Sequence, residues 1–80
     1  MAWTKVTVNI NTAVSDTGTV TATYNDATYG DFYYTEQRVK ADASGKAAFV
    51  TAANAAKDTW LSKQTTAGGY ESAVLTALNA

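Results

Sequence analysis

The chain has 80 residues, with seven acidic and six basic side chains spread along it and neither cysteine nor histidine. This composition excludes disulfide bonds, ordinary zinc sites and catalysis by imidazole or thiolate, and we expect neither nucleic acid nor a membrane among its partners. We expect one small domain over residues 1–80, supported by oligomerisation because so short a chain buries only about 60% of its unfolded surface.

The segment from Thr4 to Val14 alternates polar and apolar residues. This period of two predicts a half-buried β-strand. The alternation resumes after Asp16-Thr17-Gly18 and continues to Tyr24. The two segments therefore predict an antiparallel hairpin.

A three-residue turn over residues 16–18 places the apolar sets of both strands on one face. Gly18 would then adopt the left-handed conformation that ends such a turn. The predicted pairs are Val14 with Val20, Thr12 with Ala22 and Ile10 with Tyr24.

The opposite face of the hairpin is predicted to be flat, uncharged and rich in hydroxyl groups. In the predicted register Asn9, Asn11, Ala13 and Ser15 face Asn25 and three candidate interaction residues, Thr19, Thr21 and Thr23. Such a face suits stacking on another sheet in an assembly. A solvated surface and ice binding are the alternatives.

A loop is predicted over residues 25–31, followed by a third strand over residues 32–40. Phe32 and Tyr34 fall on one face of this strand and Val39 on the other. We expect either a bulge or an inward face that becomes polar near the strand end. A helix over these residues is the alternative.

Aromatic residues concentrate between residues 24 and 34, and Trp3 lies on the polar face of the first strand. Tyrosine combines a wide contact area with a polar tip, so Tyr29, Tyr33 and Tyr34 are candidates for contact with a protein or a glycan. They equally suit the core or a sheet edge. Trp3 is a further contact candidate, unless it folds over the sheet end and packs there.

The segment from Phe49 to Trp60 repeats apolar residues at helical spacing. Its stripe consists of Phe49, Ala52, Ala53, Ala56 and Trp60. An alanine floor between two aromatic side chains predicts close packing against a sheet face.

Two structures are open for residues 42–51. In one, Ser44 caps a helix that begins at Lys46; in the other, a second bulged hairpin adds a fourth strand. We favour the early helix because alanine favours helices over strands.

The long helix is expected to end near Lys63, where Gly68-Gly69 separate it from a short helix over residues 70–78. The predicted fold class is α+β: a three-stranded antiparallel meander, with four strands as the alternative, packed by one long Ala-rich helix and followed by a short C-terminal helix.

We expect no catalytic residue, no cofactor and no metal site. The best candidate cluster for such chemistry is the loop with Asn25, Asp26, Tyr29 and Asp31, where Asp26 and Asp31 would come together near a cation or a glycosidic bond. Their spacing does not match a calcium loop, and acidic residues beside glycine are common in turns.

The chain is small, rich in Ala, Thr and Gly, and begins at Met1, without a signal-peptide pattern. In these general respects it resembles the small virion proteins of tailed bacteriophages, such as head decoration, neck or tail accessory subunits. The resemblance implies a symmetric assembly whose copies bind one another. We therefore expect a non-enzymatic structural or interaction subunit with protein partners, located in the virion if phage-encoded and otherwise in the cytoplasm. The alternative is a small module that binds peptide or glycan through residues 24–34.

Overall fold

A computed structural model describes residues 2–10 and 15–80 of the chain. Within these residues the elements are β1 (Ala2–Asn9), β2 (Thr17–Asp26), β3 (Gly30–Lys40) and α1 (Ala43–Leu78). The strands form one antiparallel sheet in the order β1-β2-β3. The predicted α+β class, a three-stranded meander packed by one long helix, is confirmed.

The core lies between α1 and the inner face of the sheet. Its buried residues are Val20, Ala22, Val39, Phe49 and Ala53, with Trp3 and Tyr34 packed against them. Ala53 lets the helix approach the sheet closely because it has no side chain beyond Cβ. The predicted packing of the alanine floor on the sheet is therefore observed.

The register between β1 and β2 differs from the predicted one. Val20 pairs with Val8, and Ala22 pairs with Val6. The predicted partners Val14 and Thr12 lie outside the described residues, as do Asn11 and Ala13. A shift by an even number of positions keeps every side chain on its predicted face, so the alternation predicts the faces without selecting the register.

Two further details of the predicted hairpin are wrong. Tyr24 pairs with Trp3 instead of Ile10, and Gly18 belongs to β2 instead of ending a turn. A Cβ on Gly18 would collide with the carbonyl oxygen of Asn9. Glycine is therefore needed there because the end of β1 passes close by, and not because of a left-handed turn.

The expected bulge in β3 is present. Val20 pairs with Glu36 while Gly18 pairs with Val39, so β3 has one extra residue over this stretch. Arg38 adopts φ 60°, a left-handed conformation that costs a non-glycine residue roughly 1–2 kcal/mol. The bulge returns Val39 to the inner face, where it is buried.

The β2–β3 connection is tighter than the predicted loop over residues 25–31. β2 continues to Asp26, which pairs with Gly30 at the start of β3. The Asp26 carboxylate accepts the backbone N–H groups of Thr28 and Tyr29 at 2.9 and 3.0 Å. This side chain closes the turn, so residues 24–34 form a hairpin and not an open loop.

α1 begins at Ala43, which confirms the early helix over the four-stranded alternative. The cap is Asp42 and not Ser44: its carboxylate accepts the N–H of Gly45 at 2.7 Å. Aspartate is as good a cap as serine, and its charge also interacts favourably with the helix dipole.

α1 runs without interruption to Leu78, so the predicted end near Lys63 and the separate helix over residues 70–78 are not observed. Glycine inside a helix costs about 1 kcal/mol relative to alanine. Gly68 and Gly69 therefore weaken the helix, whereas a second helix would need a new and costly nucleus. Although α1 is long, no stretch of it, or of any helix in the described residues, is apolar enough to cross a membrane.

The second half of α1 extends beyond the sheet. Its 36 residues span about 54 Å at 1.5 Å per residue, and the molecule measures 64 × 18 × 17 Å. From Thr65 onward every residue is exposed. The sheet therefore packs only against the first half of the helix.

Phe49 is expected to be the most sensitive position of the core. Replacing Phe49 with Ala should lower the free energy of unfolding by about 3–5 kcal/mol, because it leaves a cavity between α1 and Tyr34. Thr51→Ala, at an exposed position in the same turn, should change it by less than about 0.5 kcal/mol. Denaturant titration followed by circular dichroism measures both, and equal effects would contradict this core.

The strain at Arg38 should be removable. Glycine adopts a positive φ without penalty, so Arg38→Gly should be more stable than Arg38→Ala by roughly 1 kcal/mol. Comparison with alanine controls for the loss of the charged side chain. Two variants of equal stability in thermal unfolding would show that the bulge is unstrained.

Candidate protein-interaction site

α1 leaves part of the inner face of the sheet uncovered. Val6 and Val8 of β1 point to the helix side but remain 58% and 59% exposed. They border a groove of about 620 Å³ between β1 and the start of α1. We call it the β1 groove; its apolar lining is Val6, Val8, Ile10, Val20, Val39, Phe49 and Val50, and its polar lining includes Lys40, Asp42 and Lys46.

The free end of α1 carries a second exposed apolar surface. We call it the α1 tip stripe, and it consists of Tyr70, Val74, Leu75 and Leu78. Leu78 is 78% exposed and Leu75 60%. Large apolar side chains that cluster in solvent are typical of an interaction surface.

Trp3 packs inside the molecule. A register shift between Trp3 and Lys5 turns its side chain to the helix side of the sheet, because one extra residue reverses the facing of a strand. Its ring meets Tyr24 edge-on at 5.3 Å, and its Nε1 donates a hydrogen bond to Oδ1 of Asn54 at 3.0 Å. Trp3 therefore connects β1 to α1 at the end of the sheet away from the β1 groove.

The candidate tyrosines separate onto two faces. Tyr34 lies on the inner face, with its ring 5.4 Å from that of Phe49. Tyr29 meets Trp60 edge-on at 6.3 Å, and Trp60 also stacks on Phe32 at 5.2 Å. These rings pack on α1 instead of forming one open aromatic surface.

Tyr33 lies on the outer face of the sheet and is 63% exposed. Its hydroxyl donates to Asp31 at 3.4 Å, and Asp31 also accepts a hydrogen bond from Asn25 at 2.8 Å. Asp31 thus takes part in surface hydrogen bonds, and Asp26 closes the turn. The described residues contain no group of three or more acidic side chains that could hold a metal ion.

Thr19, Thr21 and Thr23 lie along β2, between β1 and β3, and are half-buried. The hydroxyls of Thr21 and Thr35 are hydrogen-bonded across the sheet at 3.0 Å. Their neighbours on β1 are Asn9, Thr7 and Lys5 instead of the predicted Ser15, Ala13 and Asn11. Because Lys5 lies beside Thr23, the outer face is not uncharged as predicted.

The β1 groove and the α1 tip stripe were not among the sequence-based candidates. The alternation places Val6 and Val8 on the apolar face of the first strand, and the tip residues fall in the short helix predicted over residues 70–78. The sequence does contain an indication of the β1 groove, because it predicts one helix packed against three strands that each have an apolar face. A helix about 10 Å wide cannot cover three strands spaced about 4.8 Å apart.

Comparison of the chain with protein-family models, with curated proteins and with solved structures gave no match.

Tyr34 provides a pH-dependent contribution to stability. Its hydroxyl donates to the Glu36 carboxylate at 2.8 Å, and this bond, with burial and the carboxylate charge, raises the pKa of Tyr34 above its ordinary value. A raised folded-state pKa gives stability that is complete below about pH 10 and lost as the pH rises through that pKa.

Tyr34→Phe should therefore lower the free energy of unfolding at neutral pH by about 1 kcal/mol and make its decline above about pH 10 shallower. Tyr33→Phe removes an exposed hydroxyl and serves as the control, with little change expected at neutral pH. Urea titrations at several pH values measure both variants. An unchanged alkaline slope in Tyr34→Phe would refute the role of this hydrogen bond.

Proposed function

We propose that the protein is a non-enzymatic structural or interaction subunit of a larger protein assembly, and that further copies of the chain are among its partners. The observation that carries the proposal is the pair of exposed apolar surfaces. One is the β1 groove, concave and bordered by valines; the other is the convex tip stripe of α1.

The cost of leaving these surfaces in water supports an interaction role. Burial of an apolar side chain contributes about 1.5–3 kcal/mol. Val8, Leu75 and Leu78 forgo most of that contribution in the single chain. A small domain with a thin core gains considerably when a partner covers such residues.

The arrangement of polar groups supports a role without catalysis. Asp26 is hydrogen-bonded to its own turn, and Glu36 accepts from Tyr34. Neither carboxylate opens into the β1 groove, whose polar lining is formed by Lys40, Asp42 and Lys46. Asp42 caps α1.

More specifically, we propose that this assembly is a virion, in which the protein is an accessory subunit. This proposal rests on the general resemblance in size and composition to small tailed-phage proteins. Symmetric virion assemblies use repeated contacts between identical chains, which the two surfaces would suit.

A binding module for peptide or glycan is the second candidate. It rests on Tyr33, which is exposed on the outer face, and on Tyr29 at the hairpin turn. It has less support because Tyr29, Tyr34 and Tyr24 all contact other aromatic rings of the chain.

Self-association through the groove side of the sheet provides the test. Val8→Lys introduces a charge on the inner face of β1, and Thr7→Lys introduces the same charge on the outer face at the neighbouring position. We expect the wild type and Thr7→Lys to associate at micromolar concentration in analytical ultracentrifugation, and Val8→Lys to dissociate by at least about tenfold in Kd. A wild type that stays monomeric throughout would contradict the proposed function.

A further inference from the structure

We propose that the α1 tip stripe of one copy docks into the β1 groove of a second copy, reciprocally, so that two α1 helices lie antiparallel about a two-fold axis near Leu61. This inference rests on the proposed function and specifies its homotypic contact. Five features of the single chain support it.

The groove is wide enough for a second helix. α1 packs mainly against β3, and β1 lies two strands away from β3, which corresponds to about 9.6 Å at the usual strand spacing. Packed helices lie 8–10 Å apart. The uncovered part of the sheet therefore has room beside α1 for one further helix.

The β1 groove and the tip stripe lie at opposite ends of α1. The helix side of the β1 groove is formed by residues 43–50, at the start of α1, and the tip stripe occupies residues 70–78, at its end. When two copies of this helix are paired antiparallel, the end of each lies beside the start of the other. Both grooves are then filled by one symmetric contact.

The tip stripe lies on the same side of α1 as the residues that pack on the sheet. Val74, Leu75 and Leu78 lie about five turns beyond Ala56, Lys57 and Trp60, and these earlier residues are half-buried on the sheet side of α1. One continuous side of α1 therefore packs on its own sheet in the first half. With a two-fold axis perpendicular to the sheets, the same side faces the partner's sheet in the second half.

Gly68 lies where the two helices of the proposed dimer pass each other. It lies about five turns beyond Val50, which lines the groove, and in the antiparallel pair it passes the partner's Asn54, the residue that holds Trp3. In the part of the chain that the structure describes, nothing approaches within 4 Å of a Cβ placed on Gly68. Packing within one copy therefore does not account for this destabilising glycine, whereas close approach of two helices requires a small residue there.

The charges at the groove agree with this arrangement. The last turn of α1 contains no basic residue, so no cationic side chain in that turn balances the negative end of the helix dipole. In the antiparallel pair this end lies near the partner's groove, whose charged lining is Lys40, Lys46 and Asp42 and is therefore net positive. Lys40 is ion-paired with Asp42 at 3.6 Å, which leaves Lys46 as the lining cation without that pairing. The two helix dipoles also oppose one another, which is the favourable orientation.

Cross-linking between two single-cysteine chains tests the inference, since the natural chain has no cysteine. With Leu61 on the two-fold axis, Val50 of one copy faces Ser72 of the other. We expect a mixture of Val50→Cys and Ser72→Cys chains to give a covalent dimer with a short bis-maleimide, and each chain alone to give little. Within one chain the two sites are about 33 Å apart along a rigid helix, so an internal link is excluded.

Thr51→Cys lies at the next position, about 100° further around α1, and is exposed on the side away from the sheet. It replaces Val50→Cys in the matched control and should not link to Ser72→Cys. Circular dichroism confirms that each variant is folded. A dimer formed by Ser72→Cys alone would indicate parallel helices and would overturn this inference while leaving the proposed function intact. Association without a link between Val50→Cys and Ser72→Cys would likewise overturn this inference and leave the proposed function intact. A chain that stays monomeric at every concentration would overturn both the inference and the proposed function.

Discussion

The structure depends on a mismatch of width: a single helix packs against a sheet of three strands. Three strands at about 4.8 Å spacing present a wider inner face than one helix of about 10 Å can cover. α1 packs against β3, where Phe49 reaches Tyr34, and over Val20 and Ala22 of β2. β1 reaches α1 through Trp3, whose Nε1 donates a hydrogen bond to Asn54. The exposure of Val6 and Val8 follows directly from this geometry.

The features that were predictable from sequence are those set by local periodicity. Alternation identified the strands and assigned Val20, Ala22 and Tyr24 to the inner face, and the alanine-rich stripe identified the sheet-packing half of α1. The conflict between Phe32 and Val39 indicated the bulge that Arg38 now occupies. Register was not predictable, because an even shift preserves every face. The observed register brings the Asn9 carbonyl close to Gly18, a contact that the alternation does not specify.

The candidate site was harder to predict, because it depends on which part of the sheet α1 leaves uncovered. Val8 has the sequence signature of a core residue, and only the position of α1 over the far strand leaves it in water. Trp3 shows the opposite case: its position in the alternation indicates an exposed residue, yet a bulge turns it inward. Gly68-Gly69 predict the end of a helix, so the sequence did not place the tip stripe on a continuous extension of α1 beyond the sheet.

In the proposed dimer, the partner's groove would supply the reason for α1 to continue beyond Gly68-Gly69. A solvent-exposed helical extension gains nothing from Leu75 and Leu78, and two glycines lower its intrinsic stability. In isolation the second half of α1 should therefore be the first part of the molecule to fray. If a partner's groove covers it, burial of the tip stripe offsets the glycine cost, and folding of the extension becomes coupled to association. Stability and assembly would then depend on the same few apolar side chains, which explains why they lie at the surface of so small a domain.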